Sequence, residues 1–266
     1  MSRAREQLRS SNGAGLRVLT ESITSPTLTS QLEHLLRDLP QARWHSYEPL
    51  TRDNVYAGSR LAFGEALEPR YDFTNADVVV SLDANFLADG PGHVRYARDF
   101  AGRRKAPTTA GNDDFRMNRL FQTESGYTIT GSMADRRLAV TPSQIATVAR
   151  HLAQEVIADA TGDGSSGEEL AGELKAWVRA AAAALAAHPG RGLILAGDQQ
   201  PAHVHALACA MNTHLNNIGQ TVEYIPPVTA HAGTQTDSLR ELVADMRDAR
   251  VELLVVVGGN PVYSAP

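Results

Sequence analysis

The chain has 266 residues, 42% of them apolar and 21% charged, with a formal net charge of -5. This is enough apolar material for one large α/β domain or two smaller lobes, and the acidic balance excludes the overall basic footprint of a nucleic-acid-binding protein. Its one cysteine, Cys209, excludes an intrachain disulfide and any zinc or iron–sulfur centre ligated by cysteines of this chain alone. No stretch approaches the ~18 apolar residues of a membrane span. Ser2 to Gly15 is polar and arginine-bearing, without the apolar core of a secretory signal.

Residues 1–14 read as a disordered or linker N-terminus. Leu16–Thr20 reads as a first short strand. Ser25 and Pro26 supply a helix cap and a first-turn proline, Leu28, Leu32, Leu35, Leu36 and Leu39 follow at helical spacing, and Pro40 ends the helix. Arg43–Tyr47 alternates as a strand, and Asn54–Phe63 reads as a short helix. Asp77–Asp83 is a strand that delivers Asp83-Ala84-Asn85 and then Gly90-Pro91-Gly92, ahead of a helix over Tyr96–Arg104. Arg103-Arg104-Lys105 suits the negative end of that helix. Residues 105–117 read as a long surface loop with Asp113-Asp114 in a turn. Asn118–Glu124 is a strand, Thr128–Met133 a loop, and Pro142–Ala158 a helix.

Thr161–Gly167 has the composition of a linker and divides the chain into an α/β half over 15–160 and a second over 168–266. The second half repeats the plan: a helix over Glu168–His188, a strand at Gly192–Ala196, and the loop Gly197-Asp198-Gln199-Gln200-Pro201. A helix over Ala202–Leu215 stops at Asn216-Asn217-Ile218-Gly219. Val222–Ile225 is a strand, Leu239–Ala249 a helix, and Val251–Val257 a last strand. That final aliphatic run has the look of a central parallel strand delivering Gly258-Gly259-Asn260-Pro261 to its carboxyl edge. The alternation predicts an α/β fold with mainly parallel sheets, helices on both faces and Rossmann-like halves. The chain stops five residues after Pro261, which reads as a fragment of a longer polypeptide truncated in its second half.

Three strand-end loops could carry chemistry: Asp83-Ala84-Asn85, Gly197-Asp198-Gln199-Gln200 and Gly258-Gly259-Asn260-Pro261. Open α/β sheets bind ligands at that edge, and amides at a helix N-terminus hold anions. The Gly-x-Gly-x-x-Gly and P-loop signatures are missing, as is the Gly-x-Ser-x-Gly elbow of hydrolases. His203 and His205 point to different helix faces, and no His-Glu-x-x-His occurs, so no metal site is expected. Asp77 and Asp83 flank one strand about 20 Å apart, too far for a glycosidase pair. Cys209 lies in an apolar helical run and reads as a buried, inert thiol. No catalytic residue is nominated. The glycines, Asn260 and Pro261 can equally serve a tight turn, a helix cap and a helix start.

In order along the chain, Asp77–Arg104, Gly197–Gly219 and Gly258-Gly259-Asn260-Pro261 resemble the molybdopterin oxidoreductase superfamily. The last of these is similar to that superfamily's Gly-x-Asn-Pro loop, a contact for the guanine dinucleotide part of the cofactor. Several longer segments resemble a cofactor-free branch, the molybdopterin-oxidoreductase-like, iron–sulfur subunit of bacterial alternative complex III, a quinol:cytochrome c oxidoreductase. They are Thr20–Thr27, Gln41–Pro49, Leu82–Leu87, Gly90–Phe100, Thr130–Arg137 and Ala196–Pro201. The resemblance covers residues 15–266.

That resemblance implies a subunit of a membrane-bound, quinol-oxidising respiratory complex on the periplasmic side. Its partners would be haem c and quinol-binding membrane subunits. The molybdopterin-like domain of this branch carries no cofactor, and iron–sulfur clusters belong to a later domain. Asp83, Asn85, Gly197, Asp198, Gln199, Gln200, Asn217, Gly258, Gly259, Asn260 and Pro261 would then be vestiges of a cofactor pocket. The alternative is a truncated domain that binds molybdopterin through its guanine dinucleotide.

Overall fold

The computed structural model describes residue 6 and residues 8–105, 117–157, 172–231 and 233–265. Its first elements are β1 (Leu16–Thr20), α1 (Pro26–Asp38), β2 (Arg43–Ser46), α2 (Asp53–Phe63), β3 (Glu68–Tyr71), β4 (Val78–Leu82) and α3 (His93–Gly102). There follow β5 (Arg119–Glu124), α4 (Ile129–Ser132), β6 (Arg136–Ala139), α5 (Pro142–Val156) and α6 (Gly172–Ala186). The chain continues with β7 (Gly192–Ala196), α7 (Ala202–His214), β8 (Val222–Ile225), α8 (Gln235–Arg247), β9 (Leu253–Val257) and α9 (Pro261–Ser264). They fall into two units, one of Met1–Asp53 with Pro227–Pro266 and one of Asn54–Pro226.

The first unit holds a parallel sheet of order β2-β1-β9. Ser25 caps α1 by accepting from the Leu28 amide at 3.4 Å, with Pro26 in the first turn as the sequence predicts. The leucine stripe of α1 packs on Leu16, Val18 and Ile23. A charged residue in the middle of β1, Arg17, is tolerated because its Nε donates to Asp245 of α8 at 2.7 Å, both side chains being buried. A buried charge left without such a partner is strongly destabilising. β9 departs from expectation. Within the described residues it pairs with β1 alone, so it is an edge strand, and Leu253, Val255, Val256 and Val257 stay 38–42% exposed.

The second unit is built on a four-stranded parallel sheet of order β6-β5-β4-β7. The period-two alternation sends Val78, Val80 and Leu82 into a core with α5, α6 and α7. Val79 faces the other way, toward Phe73, Phe86, Tyr96 and Phe100. An antiparallel pair, β3-β8, completes the unit. β3 and β6 have no counterpart among the elements expected from sequence. Their segments, Glu-Pro-Arg-Tyr and Arg-Arg-Leu-Ala, carry a proline or charges suited to edge strands, which break the aliphatic pattern. The Thr128–Met133 stretch is not all loop. Thr128 accepts from the Gly131 amide at 2.9 Å and caps the short α4. The expected linker 161–167 and the Asp113-Asp114 turn lie outside the described residues. β4 and β7, from either side of that linker, are neighbours in one sheet.

Candidate functional site

In the four-stranded sheet the chain moves from β4 to β5 and β6 on one side, then returns as β7 on the other. The crevice between β4 and β7 at their carboxyl ends is therefore the topological switch point, the place where open α/β sheets hold ligands. Asp83 follows β4 with a left-handed backbone (φ 60°), and its amide donates to Thr123 O at 2.7 Å. Asp83 Oδ1 accepts from the Ser125 amide at 2.9 Å, and Oδ2 accepts from Gln199 Nε2 at 3.0 Å and Gln200 Nε2 at 2.9 Å. The Gln199 side-chain amide also donates to Asp83 O at 2.7 Å. Gly197 is required here: a Cβ on it would lie 2.3 Å from Asp83 O. The loops after β4, β5 and β7 are thus tied together through one carboxylate.

Around this cluster the other candidates divide. Asn85 Oδ1 accepts from the Thr130 hydroxyl at 3.0 Å, and its amide donates to Asp89 at 2.6 Å, so it braces α4 against the loop after β4. Asp198 is half-buried in the loop after β7. Asn217 belongs elsewhere. It is fully buried beside Gly192, at the amino end of β7, and its amide donates to Asn212 Oδ1 at 3.1 Å. A five-residue strand puts that end about 16 Å from Gly197.

Beside the cluster, Glu124 ends β5 fully buried and pairs with Arg137. Its carboxylate lies over Gly131, where a Cβ would come within 1.9 Å of Oε1. At the amino edge of the sheet, Asp77 binds both Arg103 and Arg191. Burial acts to raise the Asp77 pKa, but the hydrogen bonds and charges of the two guanidiniums outweigh it and hold the carboxyl below its ordinary value. Arg103 and Arg104 end α3 as expected and serve as clamps, Arg104 binding Asp135 and Asn118.

The first unit has its own switch point, between β1 and β9. Gly258 (φ 83°), Gly259, Asn260 and Pro261 lie there, facing the loop after β1. The Glu21 carboxylate covers the two glycines: Cβ atoms placed on Gly258 and Gly259 would sit 3.2 Å and 3.0 Å from its oxygens. The remaining cavity, bounded by Thr20, Tyr47, Asn260 and Ser264, is about 10 Å³, room for a single water. Pro261 starts α9 as expected, whereas Asn260 occupies the cap position without a side-chain capping bond. At the start of α8, the Asp53 carboxylate accepts from the Gln235 amide at 3.0 Å and the Thr236 amide at 3.3 Å.

Glu21, Ser125 and Asp53 were not among the candidates from sequence. Glu21 and Ser125 directly follow β1 and β5, so the rule that ligand chemistry gathers at strand carboxyl ends could have found them. Asp53 carries no such signal, because its partner amides lie 182 and 183 residues away. Cys209 is buried in α7, where burial pushes its thiol pKa up. His205 is buried and His203 exposed, on different faces as predicted. Among the described residues, no group of three His, Cys, Asp or Glu side chains is placed to hold a metal ion. No described helix is long and apolar enough to cross a membrane.

No family model matches the sequence, and no curated protein matches it. The structure is similar to acetylene hydratase from Pelobacter acetylenicus, with TM-score 0.54 and 15% identity over 82% of this chain and 32% of that one. It also aligns with the formyltransferase/hydrolase complex from Methylorubrum extorquens in complex with methylofuran. There the TM-score is 0.48 and the identity 14%, over 82% of this chain and 55% of that one. The chain spans about a third of the length of acetylene hydratase. At such identity the likeness is one of fold: mainly parallel α/β sheets flanked by helices.

Proposed function

We propose that this chain is a scaffold within a membrane-bound, quinol-oxidising respiratory complex, a molybdopterin-oxidoreductase-like body that works without the pterin. The observation that carries the reading is the filling of its switch points by the protein's own carboxylates. Asp83 takes donors from the loops after β5 and β7 in one unit, and Glu21 covers Gly258-Gly259 in the other. A cofactor phosphate would meet like charge at both places. Asp53 likewise supplies the anion at the α8 N-terminus, a position that otherwise suits phosphate. In this arrangement the residues do not fit an anionic pterin dinucleotide. Ser125 is bound to Asp83 and Cys209 is buried mid-helix, so neither stands ready as a metal ligand.

The assignment to a respiratory complex rests on sequence segments, among them Leu82–Leu87 and Ala196–Pro201, that resemble the molybdopterin-oxidoreductase-like subunit of alternative complex III. Iron–sulfur clusters would belong to another domain, and the assembly would face the periplasm. The rival reading is a part of a molybdopterin-dependent oxidoreductase that binds a guanine dinucleotide at Gly258-Gly259-Asn260-Pro261. The fold likeness favours neither over the other.

The test is affinity purification of the tagged protein from detergent-solubilised membranes of its native host. The scaffold reading expects c-type haem subunits and quinol-binding membrane subunits to co-purify with quinol oxidation. It also expects Asp198→Ala and Asn260→Ala to retain turnover at unchanged assembly. A protein recovered alone, or turnover lost in those variants while assembly is intact, contradicts it.

A further inference from the structure

In the first unit α8 packs against β2, and its two ends are held by different chemistry. The register of β1 and β2 sets Arg17 beside Arg43 and Leu19 beside His45, so these side chains share a face. Near the C-terminal end of the helix, the Asp245 carboxylate accepts from Arg17 Nε at 2.7 Å and pairs with Arg250 at 2.9 Å. Burial acts to raise the Asp245 pKa, but Arg17 foremost, with Arg250 and Arg43, outweighs it and holds the carboxyl below its ordinary value. That end stays ionised and paired in mild acid.

The first turn of α8 is held by a histidine. His45 is buried, and its Nδ1 lies 3.0 Å from Ser238 O. A carbonyl oxygen only accepts, so Nδ1 carries the proton and Nε2 is the bare nitrogen. The Ser46 amide adds a bond to Ser238 Oγ at 3.2 Å. Among the described residues the buried Nε2 has no hydrogen-bond partner. Protonated, it would be a charged donor with nothing to receive it, which is costly away from water. The charged groups that act on His45 are Arg17 from β1 and Glu241 and Asp245 from α8. The two carboxylates favour the cation and Arg17 opposes it, but burial is the largest effect and sets the His45 pKa below its ordinary 6.5.

The same turn closes the switch point between β1 and β9. Gln235, the first residue of α8, accepts from the Glu48 amide at 2.8 Å and donates to Ser22 Oγ at 2.7 Å. Ser22 and Glu48 lie in the loops after β1 and β2, and Ser22 follows Glu21, the carboxylate over Gly258 and Gly259. We propose that His45 is an acid-operated latch: proton uptake at Nε2 releases the first turn of α8 from β2 and breaks the Gln235 bridge beside Gly258-Gly259, while the Arg17–Asp245 pair keeps the far end of the helix seated. The direction follows from linkage. A base whose folded pKa is depressed weakens the fold as pH drops from its ordinary value through the folded one, and costs nothing above that range. The latch stands independently of the scaffold reading.

The test is backbone hydrogen exchange of the 266-residue chain at about pH 7.5 and about pH 5, corrected for intrinsic exchange and read by mass spectrometry. Protection over residues 236–242 is expected to fall at least about fivefold in acid. The ceiling is about thirtyfold, set by the roughly 1.5 pH units below 6.5. Residues 244–248 should hold within about threefold. His45→Gln keeps a donor for Ser238 O but does not titrate, so it should abolish the acid response. Heteronuclear NMR of the histidine rings in the parent chain reads the latch without any substitution: His45 should be protonated on Nδ1 at neutral pH and titrate below 6.5. Unchanged protection of the first turn in acid, or an equal loss at both ends of α8, would overturn the proposal. So would titration of His45 at or above 6.5. An acid response that survives in His45→Gln would overturn it too, assigning the effect to another group such as His231, which packs edge-on to Trp44.

Discussion

Gly197→Ala probes the closure of the switch crevice directly. The new methyl would lie 2.3 Å from Asp83 O and 2.7 Å from the Gln199 side-chain amide. The first neighbour is backbone held by pairing with β5, so it cannot swing aside as a side-chain tip could. Overpacking of this kind costs about 1–3 kcal/mol. Displacing Gln199 also removes its bond to Asp83 O, worth about 0.5–1.5 kcal/mol. Against this, alanine restricts the unfolded chain and returns about 0.4–1 kcal/mol. The net expectation is a loss of about 0.5–4 kcal/mol. For a unit of this size that lowers Tm by roughly 1–16 °C. Urea unfolding followed by circular dichroism, with a thermal scan beside it, measures both. A variant within ~0.5 kcal/mol of the parent would refute the reasoning, because it would mean that the loops after β4 and β7 stand apart and the crevice is open.

Gly131→Ala should be at least as damaging, since its methyl would run into the buried Glu124 carboxylate and disturb its pair with Arg137; urea midpoints would register the loss. Asp77 gives a pH signature. Its folded pKa lies below the ordinary 3.8, so the stability it contributes is present above that value and drains away as pH falls through the folded pKa. Asp77→Asn should therefore lower stability at neutral pH and flatten its fall on acidification, measured as urea midpoints between about pH 6 and 2. Core position decides a further contrast. Leu82→Ala, fully buried in β4, should cost about 2–5 kcal/mol, whereas Leu254→Ala on half-exposed β9 should cost clearly less. Equal losses would mean that β9 is covered.

The alternation of strands and helices was legible because several buried strands are short aliphatic runs and some helices announce themselves by cap and leucine spacing. Ser25-Pro26 and the run Val78–Leu82 are the plainest cases. β3 and β6 escaped because edge strands need no apolar pattern, and Pro69, Arg136 and Arg137 erase what pattern there is. For β9 the inference fails in a different way. The run Leu253–Val257 is as aliphatic as a central strand, but composition records what a strand can bury and not what lies beside it. At the site, the loops themselves were readable from their glycines and polar residues. Their grouping was not. Asp83 meets Gln199 and Gln200 across 116 and 117 residues, while Asn217, grouped with them by motif, sits at the far end of β7.

The proposed scaffold role requires that the two parallel sheets serve as structure, their switch points closed by Asp83 and Glu21. Elemental analysis of the protein purified from molybdate-supplied cells, paired with fluorescence of oxidised pterin released by acid, tests it most directly. The account predicts molybdenum and pterin far below one per chain. One molybdenum and one pterin dinucleotide bound per chain would contradict it.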